Sequence, residues 1–164
     1  MKILITGSNG QLGKALLKNK FKEFEVIGLD RKEFNLLDTE NCKSRLLEIK
    51  PDWVINTAAY TEVDNAEIEI QKAYETNAIA VDNIAETITS YGGRILQIST
   101  DFVFEGLKGK PYLTMDKCNP INTYGKSKLK GENFALKYPG SAILRTSWLY
   151  GSYGKNFCLK MINL

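Results

Sequence analysis

The chain has 164 residues, 43% of them hydrophobic and 25% charged, with a net charge of +3. This composition is typical of one globular domain, and the charge is spread without an acidic or basic tail, so we expect no nucleic-acid partner. Histidine is absent, which excludes Ser-His-Asp and Cys-His nucleophilic sites and every histidine metal site. Any acid–base chemistry must therefore use tyrosine, lysine or carboxylates.

The start of the chain and its cysteines indicate the compartment. The opening MKILITG is too soon interrupted by glycine to be a signal peptide, and no apolar run reaches the ~18–20 residues that cross a bilayer. Cys42, Cys118 and Cys158 have neither disulfide-framework nor zinc-site spacing. We expect a cytoplasmic protein with reduced thiols and no membrane partner.

Short β-branched segments alternate with longer helical ones along the whole chain. In chain order, the pattern predicts a strand at 2–6, a helix at 11–19, a strand at 25–30, a helix at 40–49, a strand at 53–59, a helix at 66–91, a strand at 94–100, a helix at 123–137 and a strand at 141–147. Continuous apolar strands that alternate with helices predict an α/β fold, a Rossmann-type doubly wound parallel sheet with helices on both faces, formed by residues 1–164 as one domain. Such sheets bind ligands beyond the carboxyl ends of their strands.

The first predicted strand ends in TGSNGQLG, which places glycines at Gly7, Gly10 and Gly13. Gly7 permits a tight turn, Gly10 lets the backbone approach a pyrophosphate, and Gly13 lets the following helix pack on the strand. An acidic residue, Asp30, ends the second strand about 20 residues on. The combination predicts a dinucleotide site.

Two signals about the cofactor conflict. Asp30 could accept hydrogen bonds from the adenosine ribose and favour NADH, whereas Arg31 and Lys32 could pair with a 2′-phosphate and favour NADPH. Both basic residues could equally be surface charges. The choice between NADPH and NADH stays open.

Tyr124 and Lys128 lie four residues apart in YGKSK, one helical turn on the same face. A free tyrosine has a pKa near ~10, and a lysine charge beside it would stabilise the phenolate and lower that pKa towards neutrality. The spacing alone is a weak signal, because two surface residues on one helix face would show it too.

Four segments of the chain, in order, carry a more specific pattern: NTAAYTEVDNAE at 56–67, STDFVFEG at 99–106, NTYGKSKLKGE at 122–132 and RTSWLYG at 145–151. With the glycine turn and the acidic end of the second strand, they resemble the dTDP-4-dehydrorhamnose reductases, a family within the extended short-chain dehydrogenases/reductases. The resemblance covers essentially the whole chain.

The resemblance implies a site made of matching positions. The cofactor contacts would come from Gly10, Gln11, Leu12, Asn35, Leu36, Ala59, Tyr60 and Thr61. Asn35 stands where relatives carry an acidic residue against the adenine. The sugar would contact Thr100, Asp101 and Trp148, although a core aromatic is the alternative for Trp148. Some relatives bind a metal through a glutamate after the third glycine; Lys14 and Ala15 stand there, so no metal is expected.

The resemblance also implies a reaction, the reduction of the C4 ketone of dTDP-4-dehydro-6-deoxy-L-mannose to dTDP-L-rhamnose. Tyr124 would protonate the C4 oxygen, Lys128 would hold the nicotinamide ribose and support the tyrosine, and Thr100 would orient the carbonyl. Two alternatives stay open: a non-catalytic nucleotide-binding regulatory subunit of the methionine adenosyltransferase type, and a reductase or epimerase of another nucleotide sugar. The family completes its sugar pocket with a segment beyond residue 164, so we expect a fragment or a truncated product. The oligomeric state is open, with a homodimer as one alternative.

Overall fold

The computed structural model describes residues 1–19, 23–154 and 156–162. Five parallel strands form one sheet in the order β2-β1-β3-β4-β5. Their bounds are β1 Lys2–Thr6, β2 Glu25–Leu29, β3 Trp53–Asn56, β4 Arg94–Thr100 and β5 Ala142–Thr146. The chain goes from β1 to β2 on one side and then returns past β1 to β3, so the strand order reverses between β1 and β3. The predicted doubly wound α/β fold is confirmed.

Six α-helices accompany the sheet within these described ranges. They are α1 Gln11–Lys18, α2 Thr39–Ile49, α3 Ile70–Tyr74, α4 Ala80–Thr89, α5 Thr123–Ala135 and α6 Phe157–Ile162. Helix α4 packs against both α2 and α5, and right-handed crossovers place α1 on the opposite face. The main core lies between the sheet and α2 and α4, around Leu4, Val54, Ile84, Ile88 and Ile95.

The predicted helix over 66–91 is divided in the structure. A 3-10 turn forms at Asn65–Glu67, and a π-helical turn at Glu75–Ile79 separates α3 from α4. The π turn coincides with the buried side chain of Asn77, which accepts a hydrogen bond from Tyr60 N (2.9 Å) and donates to Tyr60 O (3.0 Å). Asn77 also donates to Ser127 Oγ on α5 (3.0 Å). These contacts hold the loop after β3 against α5, and hydrophobic periodicity does not reveal them.

Strand β3 ends at Asn56 rather than at residue 59. The backbone pairing of β3 with β1 stops there, and Thr57 Oγ1 donates to Thr6 O (2.6 Å) instead, a hydrogen bond from side chain to backbone. Below this turn, Thr6 Oγ1 donates to Asn56 Oδ1 (2.5 Å) and Asn56 Nδ2 donates to Gln97 Oε1 (2.7 Å). This buried row fixes the ends of β1, β3 and β4 relative to one another, just below the candidate site.

Candidate active site

A cavity of about 680 Å³ opens at the carboxyl ends of β1, β3 and β4, beside the point where the strand order reverses. This is the position expected for ligands of an open α/β sheet, and the volume lies within the ~300–1,000 Å³ typical of ligand sites. The predicted site residues that line the cavity are Gly7, Gly10, Gln11, Leu12, Arg31, Asn35, Leu36, Ala59, Tyr60, Thr61, Tyr124 and Lys128.

The glycine turn forms a cradle that a side chain would fill. Gly7 has φ +65°, and a Cβ there would lie 2.9 Å from the backbone N and Cα of Ala58. A Cβ on Gly13 would lie 2.4 Å from Gly7 O, so Gly13 serves the packing of α1 and does not line the cavity. Gly10 donates its N–H to Gly7 O (2.8 Å) and, as the N-cap of α1, offers no side-chain acceptor to the first turn. The amides at this helix end are therefore available to an anion.

The residues after β2 differ in whether they face the cavity, which bears on the choice between NADPH and NADH. The Asp30 carboxylate accepts hydrogen bonds from Asn9 Nδ2 (2.6 Å) and from Lys32 N (2.8 Å), and Asp30 does not line the cavity. Its neighbour Arg31 does line the cavity and is exposed. Asp30 thus ties the glycine turn to the loop after β2, while Arg31 is the charged group that faces the space.

The loop after β3 forms a second wall. Tyr60 donates its hydroxyl to Glu69 Oε2 (2.6 Å), and this bond raises the pKa of Tyr60 to about 12. Lys72, a lining residue that the sequence argument missed, pairs with Glu69 Oε1 at 2.8 Å and lies over the Tyr60 ring. Tyr60 is therefore a neutral wall residue with an occupied hydroxyl.

Helix α5 brings Tyr124 and Lys128 against the end of β4. Burial raises the pKa of Tyr124 above its usual value and the charge of Asp101 adds to this rise, while the neighbouring Thr100 hydroxyl opposes it. Lys128 is 4% exposed and donates its ammonium N–H to Ile98 O (2.7 Å). Burial lowers the pKa of Lys128 to about 8, opposed by the charge of Glu132.

From the sequence we expect Lys128 to lower the pKa of Tyr124, but in the structure the pKa of Tyr124 is raised. Burial dominates at the tyrosine, and the lysine ammonium donates to the Ile98 carbonyl. Tyr124 is therefore a protonated phenol at neutral pH.

The residues predicted to face a sugar lie next to the cavity rather than on its lining. Thr100 Oγ1 donates to Asp101 Oδ1 (3.1 Å), and Ser147 Oγ donates to Asp101 Oδ2 (2.8 Å), which joins the loops after β4 and β5. Trp148 has φ +52° and is 73% exposed, with its ring edge-to-face with Phe157 at 5.3 Å. The alternative of a core aromatic at Trp148 is wrong.

Comparison with known proteins is consistent with this geometry. The family model described as the RmlD substrate binding domain matches residues 1–164. The chain belongs to this family. A curated dTDP-4-dehydrorhamnose reductase from Aggregatibacter actinomycetemcomitans is 42% identical over 99% of the chain and 56% of its own length. The chain thus spans a little over half the length of such relatives, and the resemblance seen in the sequence is confirmed.

Two solved structures of RmlD-family relatives superpose closely on the chain. The dTDP-4-dehydrorhamnose reductase of Clostridium acetobutylicum is 46% identical, with a TM-score of 0.96 over 99% of this chain and 59% of that one. The dTDP-4-dehydrorhamnose reductase of Bacillus anthracis, in complex with NADP, is 40% identical, with a TM-score of 0.95 over 99% and 58%.

Several residues that line the cavity of this RmlD-family chain were not predicted individually as site residues. They are Asn9, Phe34, Leu37, Thr57, Ala58, Glu62, Lys72, Thr76, Ile98, Ser99, Thr146, Leu149 and Gly154. Thr57 and Ser99 fall within the segments 57–61 and 99–104, which the rule that ligands bind at carboxyl ends of strands indicates, and Thr146 lies at the end of β5, where the same rule applies. Leu149 and Gly154 are brought in by the irregular segment after β5 and carry no local signal.

The described residues form neither a metal-binding cluster nor a membrane-spanning helix. Among them, no cluster of three or more cysteine, aspartate or glutamate side chains is arranged to hold a metal ion. Within the same residues, no helix has both the length and the apolar character needed to span a bilayer.

Proposed function

We propose that the chain binds NADPH or NADH and reduces the C4 ketone of dTDP-4-dehydro-6-deoxy-L-mannose to dTDP-L-rhamnose. One observation carries the proposal. The glycine cradle and the Tyr124–Lys128 pair line one cavity, so a dinucleotide laid on the cradle would extend towards a phenol and a buried ammonium. The family membership and the names of the relatives support the choice of reaction.

The residues present fit a dinucleotide. Gly7 and Gly13 let the turn and α1 pack closely, Gly10 leaves the cavity side of the turn without a side chain, and the start of α1 supplies amide donors. Arg31 faces the cavity while the Asp30 carboxylate is occupied by Asn9 and Lys32, which favours a 2′-phosphate and hence NADPH. The NADP in the Bacillus anthracis relative agrees with this preference.

When bound, the nicotinamide supplies a hydride to C4 of the sugar. The chain's own residues have to supply the proton and the orientation. Tyr124 is protonated because burial raises its pKa, so its hydroxyl is a proton donor for the C4 oxygen as negative charge develops there. The Thr100 hydroxyl, which donates to Asp101 Oδ1 (3.1 Å) in this structure, would turn to orient the same oxygen when substrate is bound.

Lys128 completes the proton path. With a pKa of about 8 it is mostly charged at neutral pH, yet it releases a proton more readily than an ordinary lysine. Its ammonium, which lines the cavity one helical turn from Tyr124, would hold the nicotinamide ribose. Asp101, which Ser147 holds by a hydrogen bond, and the exposed Trp148 would contact the sugar.

The proposal is tested by mixing a purified full-length version, which includes the segment that completes the sugar pocket in the family, with NADPH or NADH and dTDP-4-dehydro-6-deoxy-L-mannose, because the 164-residue chain alone is expected to bind cofactor and to reduce the sugar nucleotide poorly. Absorbance at 340 nm should fall, and mass spectrometry should show one equivalent of dTDP-L-rhamnose per reduced cofactor consumed. Cofactor binding by calorimetry without any reduction would instead support the non-catalytic regulatory alternative. Turnover only with a different sugar nucleotide would replace the substrate assignment.

A further inference from the structure

Lys128 carries a charge that its immediate contacts do not neutralise. Its side chain is 4% exposed, and its ammonium donates to the carbonyl of Ile98 rather than to a carboxylate. Among the residues described, none of the ion pairs within 4 Å includes Lys128. A buried cation is costly unless an anion lies near, so the lysine depends on a charge at longer range.

Glu132 supplies that charge from one helical turn further along α5. It is 1% exposed, and its Oε1 accepts hydrogen bonds from Ser99 Oγ (2.5 Å) and from Arg145 Nε (2.9 Å), while its Oε2 accepts from Arg145 Nη2 (2.6 Å). The forked contact with Arg145 fixes the carboxylate in place.

Three side chains of α5 lie against the last residues of β4. Tyr124, Lys128 and Glu132 occupy positions i, i+4 and i+8 on one face of α5. They contact Thr100, the Ile98 carbonyl and Ser99 respectively. Glu132 therefore supplies a negative charge one helical turn from Lys128, and it also attaches α5, the helix that carries Tyr124, to β4 and β5.

We propose that Glu132 is a positioning residue whose buried carboxylate, fixed by Ser99 and Arg145, keeps Lys128 charged and holds helix α5 against β4. This inference rests on the proposed function, which gives Lys128 its role. Glu132 is the charge that supports the ammonium, since it opposes the effect of burial on the pKa of Lys128. The other titratable groups facing this region are Tyr124 on α5, Asp101 after β4, Arg145 on β5 and Cys118, whose Sγ accepts from Arg145 Nη2 (3.2 Å).

The test replaces Glu132 by glutamine, which keeps the size of the side chain and removes its charge. Lys128 and Arg145 then face each other as two cations in a poorly solvated region. The titration of Lys128 is followed by NMR of protein labelled with ¹³C,¹⁵N-lysine, with Lys128→Met used for assignment. We expect the acid dissociation constant of Lys128 to rise about tenfold or more in Glu132→Gln.

The same substitution at an exposed ion pair is the matched control. Glu48 on α2 pairs with Arg45 at 2.6 Å and is 66% exposed, so Glu48→Gln should leave the titration of Lys128 unchanged. A folded Glu132→Gln protein in which Lys128 titrates as in the wild type would overturn the proposal.

A second variant covers the case in which Glu132→Gln does not fold. Glu132→Met combined with Arg145→Met removes the buried pair together, a change that is often neutral or stabilising. Lys128 should again lose its proton at lower pH than in the wild type, by a smaller amount because Arg145 is also gone. An unchanged titration in this double variant would contradict the proposal.

The NMR measurement needs neither cofactor nor substrate, so its failure is separate from a failure of the proposed function. If the protein turns over, the alkaline limb of its kcat profile should also move to lower pH in Glu132→Gln. A purely structural role for Glu132 would lower stability without moving either titration.

Discussion

Gly125 lies where α5 passes closest to the turn after β4. A Cβ built on Gly125 would lie 2.2 Å from the carbonyl oxygen of Phe102 and 3.0 Å from Pro120 Cβ. Ordinary contact begins at 3.4 Å, so Gly125→Ala must open the gap to Phe102 by 1.2 Å, from 2.2 to 3.4 Å. The atom encountered belongs to the backbone, which puts the cost at the upper end of overpacking, ~3 kcal/mol. Alanine regains about 1 kcal/mol through its better helix propensity, leaving a net loss of about 2 kcal/mol.

Urea unfolding followed by circular dichroism measures this loss, which for a chain of this size lowers Tm by roughly 4–8 °C. Gly151 is the control, since a Cβ there meets nothing within 4 Å, and Gly151→Ala should change stability by less than ~0.5 kcal/mol. The Phe102 ring also packs edge-to-face on Tyr124 at 5.7 Å, so the same opening draws Tyr124 away from Thr100. A displacement of about 1 Å can cost ~10²-fold in rate. A Gly125→Ala protein as stable as the wild type, or more stable, would refute the reasoning.

Three further predictions concern the cofactor and the acid stability of the site. Gly10→Val should abolish dinucleotide binding in calorimetry, because its side chain would occupy the space for the pyrophosphate; unchanged affinity would remove the cofactor assignment. Arg31→Ala should weaken NADPH binding about tenfold or more and leave NADH binding nearly unchanged, while Lys32→Ala, outside the cavity lining, should do neither. Equal losses for both cofactors would argue against a 2′-phosphate contact. Glu67 accepts hydrogen bonds from Thr123 N (2.7 Å) and Thr123 Oγ1 (2.8 Å) at the start of α5, and these bonds lower its pKa below the usual 4.5. A carboxyl with a lowered folded-state pKa stabilises the protein above the unfolded pKa, and this contribution is lost as the pH falls through the folded one. The wild type should therefore lose more stability than Glu67→Gln below about pH 4.5, as measured by urea unfolding; parallel pH curves would exclude the contribution.

The sequence predicts the parts of this site that depend on local chemistry. Gly7, Gly10 and Gly13 lie from the end of β1 into the first turn of α1. Their spacing in the sequence is enough to predict a tight turn followed by a helix. Tyr124 and Lys128 lie on one face of α5 because their spacing is one helical turn. These features need only the chain on either side of them.

The remaining features depend on contacts between distant segments. The hydrogen bonds of Asp30 to Asn9 and Lys32 decide which residue of the β2 loop faces the cavity, and the acidic position alone could not show this. The raised pKa of Tyr124 follows from burial, which the spacing to Lys128 does not report. Glu132 gave no sequence signal, because its partners Ser99 and Arg145 lie on two other strands.

The most direct test of the central claim is the kinetics of Tyr124→Phe at saturating NADPH. The change removes one oxygen from a side chain at the far end of the cavity from the glycine cradle, so dinucleotide affinity should stay nearly intact. With dTDP-4-dehydro-6-deoxy-L-mannose as substrate, kcat measured at 340 nm should fall by a factor of about 10²–10⁴, the usual contribution of a positioned general acid. A kcat equal to that of the wild type would contradict the assignment of Tyr124 as the proton donor.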